Sequence, residues 1–284
     1  MENSNKKIGF IGSGNMGEAF VGSLIQAEIF SPSMIYVTDI SEDRLALMRE
    51  TYGIHTMTDN AELFSTCDIV VFAIKPQQMD ALLSEIAGGA DYGVPERKLL
   101  ISIAAGIPIR KFEDTLYAPL DEATRKRLPI VRVMPNTPAL VLEGMSGMSA
   151  NPSATSEDIT LCKTILEAVG QVIEFKEDDL DAVTGVSGSG PAYVFYLAES
   201  MIEAGINVGL APDDAKALTL TTIKGALKLM EERDESPEKL RRKVTSPGGT
   251  TEAALKVLEG NGVRGHIVDA IAAATHRSKE LSKS

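Results

Sequence analysis

Six residues near the start of the chain, Gly12-Ser13-Gly14-Asn15-Met16-Gly17, fit the spacing G-x-G-x-x-G. They stand directly behind a short β-branched run, Ile8 to Ile11, and at the start of a helical pattern. In that position each glycine has a physical task. Gly12 permits the tight turn, Gly14 lets the backbone approach a pyrophosphate, and Gly17 allows close packing of helix on strand. The helix N-terminus then offers free N–H groups and a partial positive charge to phosphates. The chain has 24 Gly, and turns also use them, so position rather than composition carries the dinucleotide-binding reading.

The pattern behind this motif alternates. Ile35 to Thr38, Ile69 to Ile74, Leu99 to Ala104, Ile130 to Met134, Gly147 to Ser149 and Val172 to Phe175 read as strands. Between them, helical patterns run around Met16 to Ala27, Glu42 to Tyr52, Gln77 to Ile86, Ile109 to Leu116 and Ser156 to Val169. Strands alternating with helices indicate βαβ units and a parallel sheet covered on both faces. The unbroken apolarity of Ile69 to Ile74 fits burial on both sides. After Lys176-Glu177-Asp178-Asp179 only helical patterns follow, several opening with Pro in the first turn, as at Pro191, Pro212 and Pro237. The expected architecture is α/β: a Rossmann-type doubly wound sheet over 1–175, then an all-α domain over 176–284.

Composition removes other classes. With 28 Lys plus Arg against 40 Asp plus Glu, the formal charge is −12, which lacks the basic footprint of a nucleic-acid binder. Three His and two Cys, Cys67 and Cys162, supply neither a zinc site nor a disulfide framework, so no metal is expected. The start Met1 to Lys7 lacks the features of a signal peptide. The longest uncharged stretch, Ala182 to Ala198, is too broken by Gly and Pro to span a membrane. A soluble cytoplasmic protein is expected.

At the end of the second strand stands Asp39, where a carboxylate accepts hydrogen bonds from the ribose hydroxyls of NAD. It would repel the 2′-phosphate of NADP at roughly 4 Å by about 1 to 4 kcal/mol. This predicts a tilt toward NADH. The alternative is that Asp39 serves only the next helix together with Ser41, and Arg44 stands close enough to offset a phosphate.

A second cluster, Val244 to Leu255, is a Ser/Gly/Thr-rich loop feeding an amphipathic helix. Backbone N–H groups and hydroxyls converge there into a small anion site. Thr250 would serve equally as an ordinary N-cap. From the residues alone the two readings stand level.

Lys243-Val244-Thr245-Ser246-Pro247-Gly248-Gly249-Thr250-Thr251 resembles the signature of the pyrroline-5-carboxylate reductase family. Further stretches agree in order: Ile8 to Met16, Ala73-Ile74-Lys75-Pro76, Val131 to Pro138, and Asp181 to Tyr193. The resemblance covers essentially the whole chain. It implies reduction of L-1-pyrroline-5-carboxylate to L-proline with NADPH or NADH, the last step of proline biosynthesis. It also implies a homodimer whose helical domains interlock, and dimers of the family can assemble into decamers. Carried over motif by motif, Gly12, Ser13, Gly14, Asn15, Met16 and Gly17 hold the pyrophosphate. Asp39 and Asn60 lie by the adenosine ribose, and Ile74, Lys75 and Ala105 line the nicotinamide side. Ser246, Gly248, Gly249, Thr250 and Thr251 hold the substrate carboxylate, with Ser246 and Thr251 acting through their hydroxyls.

The sequence departs from the family at Asp39, where many members carry Ser or Thr, and at Arg241-Arg242-Lys243, where an acidic or amide residue is frequent. Extra positive charge at the latter would steer an anionic substrate. The reaction asks little acid–base chemistry of the protein if the imine arrives protonated, and His55, His266 and His276 stand in no catalytic pattern. Asn136, between Pro135 and Thr137, is either a turn former or a ligand contact. Two rivals remain: a β-hydroxyacid dehydrogenase-like enzyme, which would place a Lys on the helix after Gly190, and a non-catalytic dinucleotide-sensing protein.

Overall fold

The computed structural model describes residues 6–89 and 92–282. The first five residues, on which the reading of the N-terminus partly rests, lie outside that set. The chain divides into two compact units, residues 1–188 with 275–284, and residues 189–274.

The first unit runs β1 (Ile8–Ile11), α1 (Asn15–Gln26), β2 (Ile35–Thr38), α2 (Glu42–Tyr52), β3 (His55–Met57), α3 (Asn60–Thr66), β4 (Ile69–Phe72), α4 (Met79–Ala87) and β5 (Leu99–Ser102). It continues with α5 (Ile109–Leu116), α6 (Glu122–Arg125), β6 (Ile130–Met134), β7 (Gly144–Ala150), α7 (Ser156–Glu167), β8 (Gly170–Glu174) and α8 (Leu180–Val183). The strands form one eight-stranded sheet in the order β3-β2-β1-β4-β5-β6-β7-β8. Its neighbours pair in parallel except β6 with β7. The expected all-parallel sheet is thus corrected at that pair. The connection from Met134 to Gly144 holds only a short 3-10 turn, Thr137–Val141, and a parallel crossover needs a dozen or more residues.

Alternation along the buried strands splits the core in two. Ile8, Phe10, Ile69, Val71, Leu99 and Ile101 join a cluster with α1, α2 and α7. Ile11, Val70, Phe72 and Leu100 join another with α3, α4 and α5. Successive strand residues point to opposite faces, so these are the two faces of one sheet. The edge strand β3 and helix α3 go beyond the sequence expectation: β3 has three residues, one of them His55, which stacks on Tyr36 at 4.7 Å.

The break between units falls at 188, later than the boundary expected near 175. Residues 177–188 stay with the sheet because Leu180 and Val183 lie on β7, where a Cβ on Gly147 would come within 3.2 and 2.8 Å of them. The C-terminal segment returns to the same place. Asp181 Oδ1 accepts hydrogen bonds from the hydroxyls of Ser278 (2.6 Å) and Ser282 (3.2 Å).

The second unit is helical: α9 (Gly190–Asn207), α10 (Pro212–Glu232), α11 (Pro237–Lys243), α12 (Thr250–Gly260) and the first part of α13 (Val263–Leu281). Gly205 lets α10 approach α9, since a Cβ there would lie 2.9 Å from that of Ala215. Among the described residues no helix is long and apolar enough to cross a membrane.

Candidate functional site

The turn from β1 into α1 gives the three glycines distinct geometries. Gly12 has φ +100°, a conformation other residues rarely adopt, and a Cβ there would lie 2.6 Å from the Ala73 carbonyl. A Cβ on Gly17 would meet the Gly12 carbonyl at 2.5 Å. Gly14 differs, having nothing within 4 Å of where its Cβ would stand. It is the N-cap of α1, and no side chain caps the helix. Open space above uncapped helical N–H groups fits a pyrophosphate.

These residues open on a cleft of about 610 Å³ whose lining includes Gly12, Gly14, Asp39, Asn60, Ile74 and Lys75. The cleft lies where the strand order reverses, between β1 and β4, at the carboxyl ends of the strands. Ligands of doubly wound sheets bind at such a place. Of the other expected cofactor residues, Ser13 is buried beneath the loop, and Asn15, Met16 and Gly17 form the first turn of α1. Ala105 sits exposed on the turn after β5, outside the cleft lining. The lining also includes Ile40, Thr58, Gln77 and Glu85, none of which a short motif marks. Ile40, 90% exposed beside Asp39, offers an apolar surface to a flat ring. On the cleft floor Thr38 Oγ1 is buried with no hydrogen-bond partner among the described residues.

Asp39 is held from several sides. Its Oδ2 accepts hydrogen bonds from the Ser13 N–H (2.7 Å) and hydroxyl (2.8 Å), and Oδ1 accepts from the Ser41 N–H (3.0 Å). Partial burial alone would raise its pKa. The Ser13 and Ser41 donors and the Arg44 charge outweigh that, so the carboxyl lies below its ordinary value and stays charged at neutral pH. Across the cleft, Asn60 Nδ2 donates to Glu85 Oε1 at 3.2 Å.

The Ser/Gly/Thr-rich loop of the second unit leads directly into α12. Helix α12 starts at Thr250 with Gly249 as N-cap and no side chain capping it, so the reading of Thr250 as an ordinary cap is corrected. Gly248, at φ +70°, turns the chain into the helix, and its N–H donates to Glu252 Oε2 at 2.7 Å. A carboxylate is thus already a partner at this turn. Ser246, Gly248 and Thr250 are exposed, while Gly249 and Thr251 are half-buried. The basic run before the loop is neutralised locally. Arg241 pairs with Glu259 (3.0 Å), Arg242 with Glu238 (3.4 Å) and Lys243 with Glu235 (2.6 Å).

Asn136 takes a structural role. Its Nδ2 donates to the Ser187 carbonyl (3.1 Å) and its Oδ1 accepts from the Met145 N–H (2.9 Å). It thereby ties the turn after β6 to a π-helical turn, Thr184–Gly188, inside the Asp181 to Tyr193 stretch. Helix α9 carries no Lys, the residue a hydroxyacid dehydrogenase would place there.

A doubly wound sheet with a glycine turn at its switch point and a carboxylate at the end of β2 defines a nicotinamide-dinucleotide oxidoreductase. Residues 7–106 match the model described as NADP oxidoreductase, coenzyme F420-dependent, and residues 177–281 match pyrroline-5-carboxylate reductase dimerisation. The chain belongs to the pyrroline-5-carboxylate reductase family, and its helical half is a self-association domain. A pyrroline-5-carboxylate reductase of Corynebacterium melassecola is 42% identical over 97% of this chain and 98% of its own length. The solved reductase of Coxiella burnetii superposes with a TM-score of 0.87 at 39% identity, covering 99% of this chain and 100% of that one. The Plasmodium falciparum enzyme, solved with NADP bound, gives 0.85 at 34% identity over 98% of this chain and 99% of that one.

Proposed function

We propose that this chain reduces L-1-pyrroline-5-carboxylate to L-proline, binding NADH or NADPH in the β1–α1 cleft and holding the substrate carboxylate on the Ser246–Thr251 loop. The observation that carries the reading is the entry to α12. A helix without a side-chain cap, begun by Gly248-Gly249 and flanked by hydroxyls, suits a small carboxylate. A bound nicotinamide supplies the hydride. The chain's own task is orientation: hydroxyls of Ser246 and Thr251 and the first N–H groups of α12 hold the substrate carboxylate and so fix how the ring presents its imine carbon. Near-attack positioning of that kind accounts for much of a hydride-transfer barrier. Proton chemistry is minimal because a protonated imine is already electrophilic at carbon, in keeping with His55 stacked on Tyr36 and His276 beside Glu280.

In this reading Gly12, Ser13, Gly14, Asn15, Met16 and Gly17 cradle the pyrophosphate, Asp39 and Asn60 meet the adenosine ribose, and Ile74, Lys75 and Ala105 border the nicotinamide. The charge on Asp39 tilts the preference toward NADH. Assembly passes through a dimer to a decamer, and the setting is the cytoplasm, where the two free cysteines would stay reduced.

The test is NAD(P)H oxidation with pyrroline-5-carboxylate against a panel of hydroxyacids, run in parallel on the Thr251→Ala variant. Turnover of the imine alone is expected. Thr251→Ala should lower kcat/KM for it about tenfold to a hundredfold, the worth of one hydrogen bond to a charged acceptor, and leave NADH affinity in place. Loss of NADH binding in that variant would remove the loop from the substrate. Asp39→Ser should raise the NADPH-to-NADH efficiency ratio, and an unchanged ratio would remove Asp39 from the ribose.

A further inference from the structure

One cation stands close to Asp39, and it is already engaged. Arg44, in the first turn of α2, donates from Nε to the Ser13 carbonyl at 2.9 Å, and its Nη2 reaches the same oxygen. That Nη2 also pairs with Glu18 Oε2 at 2.7 Å, and the Tyr52 hydroxyl donates to Glu18 Oε1 at 3.3 Å. Glu18 lies in the first turn of α1, on the helix that begins at the glycine loop. Both partners are about 28% exposed, so the pair is neither lost in the core nor free in solvent. The backbone N–H of Arg44 is fixed as well, donating to Ser41 Oγ at 3.3 Å.

An arginine near the end of β2 is the usual means of accepting a 2′-phosphate, since its planar fork pairs bidentately with phosphate oxygens. Here the same residue is turned back beneath the glycine loop. We propose that Glu18 is a specificity-determining positioning residue: by holding Arg44 against the Ser13 carbonyl, it withholds a cation that would reward a 2′-phosphate. The cofactor preference is then set by two carboxylates with different tasks. Asp39 repels the phosphate at the ribose, and Glu18 removes its counter-charge. This inference rests on the reading that Asp39 faces the adenosine ribose.

The two are separable by calorimetric titration of the full-length protein with ADP and with adenosine 2′,5′-bisphosphate, which bind without any turnover. Wild type should prefer ADP. If it binds the bisphosphate as well or better, the Asp39 reading itself fails. In Glu18→Gln, with the freed guanidinium able to swing toward the ribose, the bisphosphate-to-ADP affinity ratio should rise about tenfold or more, the worth of one charge-assisted contact. Adding Arg44→Ala to that variant should cancel the rise. A wild-type preference for ADP combined with an unmoved ratio in Glu18→Gln overturns the inference, as does a rise that survives Arg44→Ala. Loss of the ion pair through misfolding would weaken both ligands by one factor and would not move their ratio. Arg44→Ala alone gives the test that does not depend on Glu18→Gln folding. With Arg44 withheld, the single substitution weakens both ligands equally, and a selective loss of the bisphosphate would mean that Arg44 already serves the phosphate.

Discussion

The sheet unit encloses an apolar cluster on each face of its central strands, whereas among residues 189–274 only Ala215 and Thr219 are buried. The helical unit is no less apolar. Phe195, Tyr196, Leu218, Val257 and Val268 are each more than half exposed. A surface so rich in large apolar side chains is costly in water and marks a protein interface. The contrast places the two units in different regimes. The first gains its stability from its own chain, and the second from another copy, in accord with the match of residues 177–281 to a dimerisation family.

The largest effect that would break this contrast comes from charge on the helical surface. Phe195→Asp should abolish self-association in sedimentation velocity at micromolar concentration and lower the melting temperature, because an unpaired charge in an interface costs several kcal/mol. Retained association would sink the comparison. Leu83→Ala, at a fully buried position of the sheet unit, should cost about 2 to 5 kcal/mol while leaving the assembly state unchanged.

A smaller effect separates fold from ligand within the sheet unit. Gly17→Ala drives a methyl into the Gly12 carbonyl and should cost about 1 to 3 kcal/mol of stability together with cofactor binding. Gly14→Ala meets open space, so its melting temperature should match wild type while NADH affinity falls about tenfold or more. Equal stability losses in the two variants would show that the cleft has no dedicated opening.

The smallest effect is a pH dependence of the sheet unit. Burial works against the charge on Asp158, and Arg97 with the Thr155 N–H and hydroxyl more than offset it, so its carboxyl, like that of Asp39, lies below the ordinary value of 3.8. A depressed folded-state pKa contributes stability above the unfolded value and loses it as pH falls through the folded one. Unfolding free energy should therefore decline as pH falls below about 4. Asp158→Asn should be less stable at pH 7 and show a shallower acid limb in urea titrations. An acid limb as steep as wild type would remove Asp158 from this role.

Much of the architecture was legible because each signal was local. The run Ile8 to Ile11 followed by three spaced glycines specifies strand, turn and helix without reference to the rest of the chain. The reversal at β6 and β7 was not, since Val131 to Met134 reads alike in either direction and only the length of the connection decides. Strand β3 escaped because its three residues, His55-Thr56-Met57, have no periodicity to read. The break at 188 depended on Ser278 and Ser282 returning to Asp181, contacts between residues 97 and 101 positions apart. At the site, Gly12, Gly14 and Asp39 were marked by spacing, while Ile40, Thr58, Gln77 and Glu85 reach the same cleft from separate segments, Glu85 from within α4, that no motif joins. The cap of α12 also misled, because Thr250 has a suitable hydroxyl and the N-cap nevertheless falls one residue earlier, at Gly249.

The two cysteines give the sheet a built-in clock. Cys67 belongs to the cluster on one face and Cys162 to that on the other, and both are free. Burial pushes the Cys67 thiol up to about 12 and raises Cys162 as well, so neither is a ready thiolate while its face stays closed. Alkylation of single-cysteine variants by a maleimide would then time the opening of each layer separately, and a ligand seated in the cleft would register as a slowing of whichever layer it braces.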